Sequence, residues 1–212
     1  MSVEVRLHNP SELSKEQWRD IQTMQRDAYS SGTLRRRPQE EIDYIVQYDD
    51  FDRFYASHLD PNTEVGNRFN PNQSYTHPKV AVATEGDRYV GFAYSAHNVS
   101  GRSKAVRLVK QLSIVKDYLW IREIAISPEM QNKRSGIAQR LGSVLLANAF
   151  ERQPVSAYIW PSEIPFLPVN LEELGFEKTG ERQIDLYGTG ELITQVRMEA
   201  PSVRKVRANL GR

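Results

Sequence analysis

The chain has 212 residues, of which 39% are hydrophobic and 26% charged, with a formal net charge of +1 and no cysteine. This composition suits one globular domain, and the near-neutral charge argues against a dedicated nucleic-acid binder. Without cysteine, disulfides, thiolate metal sites and thiol nucleophiles are excluded. No apolar run approaches the roughly 20 residues of a membrane span, and the N-terminus lacks a signal-peptide pattern, so we expect a cytoplasmic protein.

The N-terminal part of the chain predicts a strand followed by a helix. Residues 3–8 alternate between polar and apolar side chains, as a half-buried strand does. Ser14 and Gln17 have the spacing of a capping box, which predicts a helix start, and Gly32 predicts the helix end. The buried stripe of this helix is expected to contain Trp18, Ile21, Met24 or Gln25, and Ala28.

The middle of the chain predicts a second helix, a loop and a hairpin. The helix is expected over 39–59, and the turn-forming residues of 60–78 favour a long loop. Strands over 79–86 and 88–98 predict a hairpin because "EGD" stands between them. Residues 99–117 carry apolar residues at helical spacing and are also compatible with an insertion lying across the sheet.

The C-terminal part predicts a strand (118–126), a helix (135–150), a second strand (155–160) and, after a short helix, a closing hairpin around "GTG". The helix between the two strands must serve as a crossover, so these strands should be parallel neighbours. We therefore predict a mixed α/β (α+β) fold, with one domain over 1–200. The basic tail, 201–212, is expected to be a solvated terminus.

The junction "SPEMQNKRSGIAQRL" (127–141) can hold an anion. At a helix start, backbone N–H groups lack intrahelical acceptors and point outward at the positive end of the helix dipole. Gly136 lets a phosphate approach the backbone closely, and Lys133 and Arg134 add positive charge. The alternative is an ordinary basic helix start with Ser135 as N-cap. Neither common glycine-rich nucleotide motif has matching spacing.

This arrangement resembles the acyl-CoA-binding motif of the GNAT superfamily of N-acyltransferases. "IAISPEM" (124–130) matches the strand end of that motif, "KRSGIA" (133–138) matches its loop, and "LEELGF" (171–176) resembles the segment before the family's final hairpin. The resemblance implies a central mixed sheet of six to seven strands flanked by helices, with the parallel pair around the crossover helix. It also implies acetyl-CoA or another acyl-CoA as co-substrate. No metal is expected, since the histidines show no metal-ligand spacing.

The resemblance places the acyl-CoA site at the strand end and the following loop. The strand backbone at Ile124, Ala125 and Ile126 would take the pantetheine amide and polarise the thioester carbonyl. Loop amides would bind the pyrophosphate. The implied loop residues are Lys133, Arg134, Ser135, Gly136, Ile137 and Ala138. One departure is that Gln131 lies five residues before the glycine, which makes the loop two residues longer than the family pattern.

Acyl transfer to an amine requires a base for the amine, and Glu123 is the candidate. On a regularly alternating strand, Glu123 would share a face with Ile121 and Ala125. The alternative is a surface ion pair with a neighbouring arginine. His97 is a further candidate base because the preceding strand borders the acceptor cleft in this fold, and the alternative is a structural role, which is the commoner one for a lone histidine.

The thiolate leaving group needs a proton donor, which many family members supply from a tyrosine. Leu171 stands at that position here, so the donor must come from elsewhere. Tyr158 and Tyr187 are the candidates, each with the alternative of an ordinary packed aromatic.

The segment 43–55 combines carboxylates with aromatic side chains. In the family this region flanks the acceptor cleft, where such residues would suit a cationic amine. The candidate acceptor-binding residues are Tyr48, Asp49, Asp50 and Tyr55. The alternative is an amphipathic helix whose aromatics pack and whose acids face water.

The leading prediction is an enzyme that transfers an acetyl or related acyl group from acyl-CoA to a primary amine of a small molecule or macromolecule. The alternative is a CoA-binding regulatory module on the same scaffold, which Leu171 keeps open. The basic tail and "RRR" (35–37) are all that favour a nucleic-acid or ribosomal acceptor, which the net charge of +1 disfavours. A homodimer is one oligomeric option, and no membrane partner is expected.

Overall fold

The computed structural model describes residues 2–46, 65–67, 70–100, 118–131, 136–165 and 167–210. The strands are β1 (Val3–His8), β2 (Val65–Asn67), β3 (Asn70–Glu85), β4 (Arg88–Ser100), β5 (Tyr118–Ile126), β6 (Val155–Ile159), β7 (Glu177–Ile184) and β8 (Ile193–Ala200). The helices are α1 (Lys15–Ala28), α2 (Gln39–Val46), α3 (Pro128–Gln131), α4 (Ile137–Ala147), α5 (Leu167–Glu173) and α6 (Val203–Leu210). None of these described helices reaches the length and apolarity that crossing a bilayer requires.

The strands form one mixed sheet. Its order is β1-β3-β4-β5-β6-β8-β7, and the short β2 pairs with β3 beside this path. β5 and β6 are parallel, and the other neighbouring pairs are antiparallel. The predicted mixed α/β fold, the parallel pair around the crossover helix α4 and the closing β7–β8 hairpin are thus confirmed.

The helices cover both faces of the sheet. Along β3 and β4 successive side chains alternate between faces, and the two sets belong to different cores. On the α1 face, Trp18 and Ile21 pack against Phe92. On the opposite face, which we call the α4 face, Ile137 and Leu141 pack in a second cluster. Each helix therefore presents one apolar stripe to the sheet.

The capping box of α1 is confirmed. The backbone N–H of Gln17 donates to Ser14 Oγ at 3.1 Å, and the backbone N–H of Ser14 donates to Gln17 Oε1 at 2.9 Å. The helix end differs from the prediction at Gly32. Regular α-helix ends at Ala28, and the chain continues as a π-helical turn over Tyr29–Thr33.

The loop predicted over 60–78 is wrong where the structure describes it, because β2 (Val65–Asn67) and the first part of β3 lie there. Turn-forming residues are tolerated since the register shifts between Thr76 and Lys79, which accommodates Pro78 without a ladder hydrogen bond. Residues 47–64 and 101–117, which include the rest of the second predicted helix and the ambiguous segment, lie outside the described residues.

The expectation of a solvated terminus is wrong for α6. Its residues Val203 and Val206 are 0% and 1% exposed and belong to the cluster that α4 forms with β6 and β8. The amphipathic pattern of this segment, with basic residues on the outer face, explains how a basic stretch can pack: the valines are buried while Arg204 and Arg207 remain exposed.

Candidate functional site

β5 and β6 separate part-way along their length. Parallel pairing joins residues 119–121 to 155–157. Beyond this point β5 continues along β4 as far as Ile126, and β6 continues along β8 as far as Ile159. The two strands therefore leave a gap between residues 122–126 of β5 and 158–159 of β6, which we call the strand gap.

A β-bulge in β5 decides which side chains lie beside the strand gap. The β4 partners of Ile121 and Glu123 are consecutive residues, so Arg122 is an extra residue in the ladder. Glu123 consequently lies on the α1 face with Ala125, and Ile121 packs on the opposite face. The prediction that Glu123 shares a face with Ala125 is confirmed, and the prediction for Ile121 is wrong because the bulge shifts the alternation by one residue.

Backbone groups of Ile124 and Ile126 point into the strand gap. The N–H of Ser127 donates to a β4 carbonyl at 2.9 Å, and every second residue of an antiparallel strand pairs with the same neighbour. Ala125 thus turns its backbone groups towards β4, whereas Ile124 and Ile126 turn theirs towards the gap. The Ile126 carbonyl accepts a hydrogen bond from Gln131 Nε2 at 2.7 Å. This bond fixes the side chain of Gln131, the last residue of α3, at the end of β5.

Gly136 forms the N-cap of α4, and its φ of +63° lies in the left-handed region that glycine adopts without strain. The N–H of Arg140 bonds the Gly136 carbonyl at 3.0 Å, so the N–H groups of residues 137–139 precede the first intrahelical bond. A Cβ added at Gly136 would meet nothing nearer than Gln139 Oε1 at 4.0 Å. Among the described residues, the first turn of α4 therefore offers backbone donors with no side chain packed against Gly136.

A close approach between α4 and the sheet brings this helix start to the end of β5. A Cβ added at Gly91 of β4 would lie 3.2 Å from both the Ala125 carbonyl oxygen and Ile137 Cγ2. The end of β5 and the start of α4 thus meet at the position that a Cβ of residue 91 would occupy, and only glycine fits there. Ile137 is buried at 1% exposure and Ala138 is exposed. Of the other predicted loop residues, Lys133, Arg134 and Ser135 lie outside the described part of the chain.

Glu123 is held by two side chains from the α1 region. Gln25 Nε2 donates to Glu123 Oε1 at 2.6 Å, and the Tyr29 hydroxyl donates to the same oxygen. Gln25 is only 1% exposed, so its amide is committed to this contact inside the core. Sequence reasoning did not assign either partner a role at the site. The signal for Gln25 is its position in an otherwise apolar helical stripe, since a buried amide requires a partner.

Tyr187 lies in the loop between β7 and β8 and is 2% exposed. Tyr29 packs against the same cluster, which connects Tyr187 with the Glu123 region. The Arg37 guanidinium lies 4.3 Å from the Tyr187 ring centroid and binds Glu163 and Glu191 at 2.7 Å each. Burial raises the pKa of Tyr187, the charge of Glu163 raises it further, and Arg37 opposes both. The phenol is therefore kept protonated at neutral pH.

His97 lies away from the strand gap. It stands opposite Leu119 at the beginning of β5, on the face opposite to Glu123, and its Nδ1 is 3.1 Å from Gln153 Nε2. Tyr158 lies on the α1 face, with its ring 6.0 Å from that of Trp120 in an edge-to-face contact. The structure thus brings Glu123 and the start of α4 to the gap, but not His97.

The predicted acceptor-binding residues Tyr48, Asp49, Asp50 and Tyr55 lie outside the described residues. The helix that carries them in the prediction is described up to Val46.

No family model matches the chain, and no curated protein sequence matches it. Solved structures do. The PaiA N-acetyltransferase of Thermoplasma acidophilum, in complex with coenzyme A, has a TM-score of 0.54 at 13% identity, covering 95% of this chain and 99% of its own. A protein of Desulfovibrio desulfuricans assigned to the GNAT acetyltransferases gives 0.54 at 16% identity, covering 95% and 99%. An acyl-CoA N-acyltransferase of Pseudomonas aeruginosa gives 0.55 at 12% identity, covering 94% and 99%.

The chain has the GNAT fold. At these identities the likeness concerns the fold, and the covered shares show that it extends over nearly the whole chain. In this GNAT scaffold, Leu171 of α5 packs against the cluster that contains Phe176 and Val203. An apolar side chain at this position is thus explained by packing.

Proposed function

We propose that this protein transfers an acetyl or related acyl group from acyl-CoA to a primary amine. The observation that carries the proposal is the strand gap, whose inward-facing backbone groups end beside the first turn of α4. A GNAT-fold protein with coenzyme A bound, the PaiA N-acetyltransferase, supports it. The acceptor, the acyl group, the cytoplasmic location and a homodimeric state remain predictions.

Acyl-CoA fits the gap by the chemistry of its two ends. The pantetheine arm carries amides, which match the C=O of Ile124 and the N–H of Ile126 as a neighbouring strand would. The pyrophosphate is an anion, which suits the backbone N–H groups of Ile137 and Ala138 at the positive end of the α4 dipole. Gly136 leaves the space in which phosphate oxygens can approach these donors.

The proposed reaction is a direct attack of the amine on the thioester. Glu123 accepts a proton from the ammonium group, directly or through water, and the neutral amine attacks the carbonyl carbon. The N–H of Ile124, which is next to Glu123 in the chain and farther from α4 than Ile126, stabilises the negative charge that develops on the carbonyl oxygen. The C–S bond then breaks, and the protonated phenol of Tyr187 is our candidate donor for the departing thiolate. The proton that the new amide nitrogen loses then restores the phenol. His97 has no role in this scheme because it lies on the other face, at the far end of β5.

The experiment that tests the proposal measures thiol release from acetyl-CoA with a panel of primary amines. Glu123→Gln should lower kcat by about 100- to 10,000-fold because the base is lost, while calorimetry should show unchanged acetyl-CoA binding. Glu172→Gln is the matched control, since Glu172 is exposed on α5. Binding without turnover of any amine would indicate a CoA-binding module, and absence of binding would refute the proposal altogether. A wild-type rate for Glu123→Gln would exclude Glu123 as the base.

A further inference from the structure

The face of the sheet that carries Glu123 continues across β6, β8 and β7 as a row of polar and aromatic side chains. Alternation places these residues together, because Val196 and Met198 of β8 pack on the α4 face and their neighbours therefore lie on the α1 face. We call this row the polar floor. Its members are Tyr94, Trp120, Glu123, Tyr158, Gln195 and Arg182.

Arg182 occupies the end of the polar floor on β7. Its Nε and Nη2 both donate to Gln195 Oε1, at 2.8 and 2.6 Å, and its guanidinium carbon lies 5.5 Å from the Tyr158 ring centroid. Gln195 is 3% exposed, so the acceptor atom that orients the guanidinium is fixed. One edge of the arginine fork is thereby held in place, and its other N–H groups remain for a ligand.

Arg182 lacks a counter-charge within the part of the chain that the structure describes. Its contacts there are a neutral amide oxygen and an aromatic ring, and burial lowers the pKa of its guanidinium. By contrast, Arg26, Arg37 and Arg88 each bind a carboxylate. A partly buried cation without an anion is unfavourable for stability. Ligand binding therefore explains an arginine at position 182 better than folding does.

We propose that Arg182 binds a carboxylate of the acceptor, so that the substrate is an amine that also carries a carboxylate, as an amino acid does. This inference rests on the proposed acyl transfer. The amino group would lie near Glu123 and the carboxylate near Arg182. A single planar guanidinium matches one carboxylate through two parallel hydrogen bonds, which favours a carboxylate over a more highly charged phosphate.

The length of the floor limits the shape of this substrate. The Arg182 guanidinium lies 5.5 Å from the Tyr158 ring centroid, and this ring lies 6.0 Å from the Trp120 ring. Trp120 precedes Glu123 by three residues on β5, so the two aromatic rings separate Arg182 from Glu123. Amine and carboxylate should therefore be separated by several bonds, as in 5-aminovalerate or between the α-amine and side-chain carboxylate of glutamate, and not by the single carbon of glycine.

The first test measures anion binding without any reaction. Calorimetry with glutarate as the probe should show binding to the wild type and a loss of about 10- to 100-fold in affinity for Arg182→Gln. The neutral analogue glutaramide should not bind. Arg204→Gln is the control, because Arg204 is an exposed arginine of α6. Arg182→Lys, which keeps the charge, should retain part of the affinity and guards against misfolding of the glutamine variant.

The second test measures turnover of 5-aminovalerate and 5-aminovaleramide with acetyl-CoA, together with phosphoethanolamine. The wild type should prefer the carboxylate in kcat/KM, and Arg182→Gln should remove that preference through KM while kcat is kept.

The outcomes separate this inference from the proposed function. Glutarate affinity that is equal in wild type and Arg182→Gln, or no glutarate binding by the wild type, overturns the inference. Equal kcat/KM for 5-aminovalerate and 5-aminovaleramide in the wild type, or a carboxylate preference that survives in Arg182→Gln, overturns it and leaves the acyltransferase standing. Failure to bind acetyl-CoA refutes the acyltransferase, whereas Arg182-dependent glutarate binding would still identify the carboxylate site.

Discussion

Replacing Gly136 with alanine should weaken acyl-CoA binding in addition to destabilising the fold. A left-handed φ of +63° costs an L-residue about 1–2 kcal/mol. For a chain of this size, that corresponds to a decrease in Tm of about 2–8 °C. The added methyl group meets no atom of the described residues nearer than 4.0 Å, so these residues add no steric penalty to the backbone strain.

The same methyl group enters the space that the pyrophosphate needs. If it displaces one charge-assisted hydrogen bond, about 1.5–3 kcal/mol of binding free energy is lost, which corresponds to about a 10- to 100-fold increase in Kd. Isothermal titration calorimetry with acetyl-CoA and with CoA measures this change directly. Both ligands should be affected alike, because both carry the pyrophosphate.

Gly86 provides the matched control. It has a φ of +62° and no atom within 4 Å of an added Cβ, and it lies in the exposed turn between β3 and β4. Gly86→Ala should therefore lower Tm by a similar amount and leave the Kd for acetyl-CoA unchanged. Equal Kd values for Gly136→Ala and Gly86→Ala would show that the start of α4 does not hold the pyrophosphate.

Three further predictions concern stability. Val206→Ala should lower the free energy of unfolding by about 1–3 kcal/mol in urea denaturation, because Val206 is 1% exposed. The control Arg207→Ala, on the exposed side of α6, should change it by less than about 0.5 kcal/mol. Hydrogen bonds from Gln39 and an α1 arginine lower the pKa of Asp43, so this carboxylate stabilises the fold above its ordinary pKa and the stabilisation is lost as pH falls through the lowered pKa. The difference in unfolding free energy between wild type and Asp43→Asn should be below about 1 kcal/mol, because the side chain is 37% exposed. Urea denaturation at several pH values should show this difference shrinking in acid. A difference that stays constant with pH would contradict the ion pair. Ser14→Ala should cost about 1 kcal/mol in thermal melts by loss of the capping box, and an unchanged Tm would rule out that contribution.

Local patterns predicted most of the elements because their causes lie close together along the chain. The alternation of residues 3–8 and the apolar run of 118–126 correspond to β1 and β5. The Ser14 capping box set the start of α1. Each of these signals involves residues within a few positions of one another, and their physics is the same in any tertiary context.

Features that depend on distant partners could not be predicted in this way. The bulge at Arg122, which changes the face of Ile121 relative to Glu123, depends on pairing with β4. The burial of α6 depends on the cluster beneath it, which consists of residues from α4, β6 and β8. The basic composition of the tail contains no information about that partner surface.

The amino-acid sequence alone determined that a strand would be followed by a helix that starts near a glycine. Free N–H groups at a helix start beside a small residue are the basis of the predicted anion site. Only the tertiary structure decided which groups surround it. Gln25 and Tyr29 reach Glu123 from another part of the chain, and Arg182 joins the same face across two other strands, β6 and β8. The physical reason is that alternation and helical period specify a face within one element, whereas the contact between faces depends on sheet order and register.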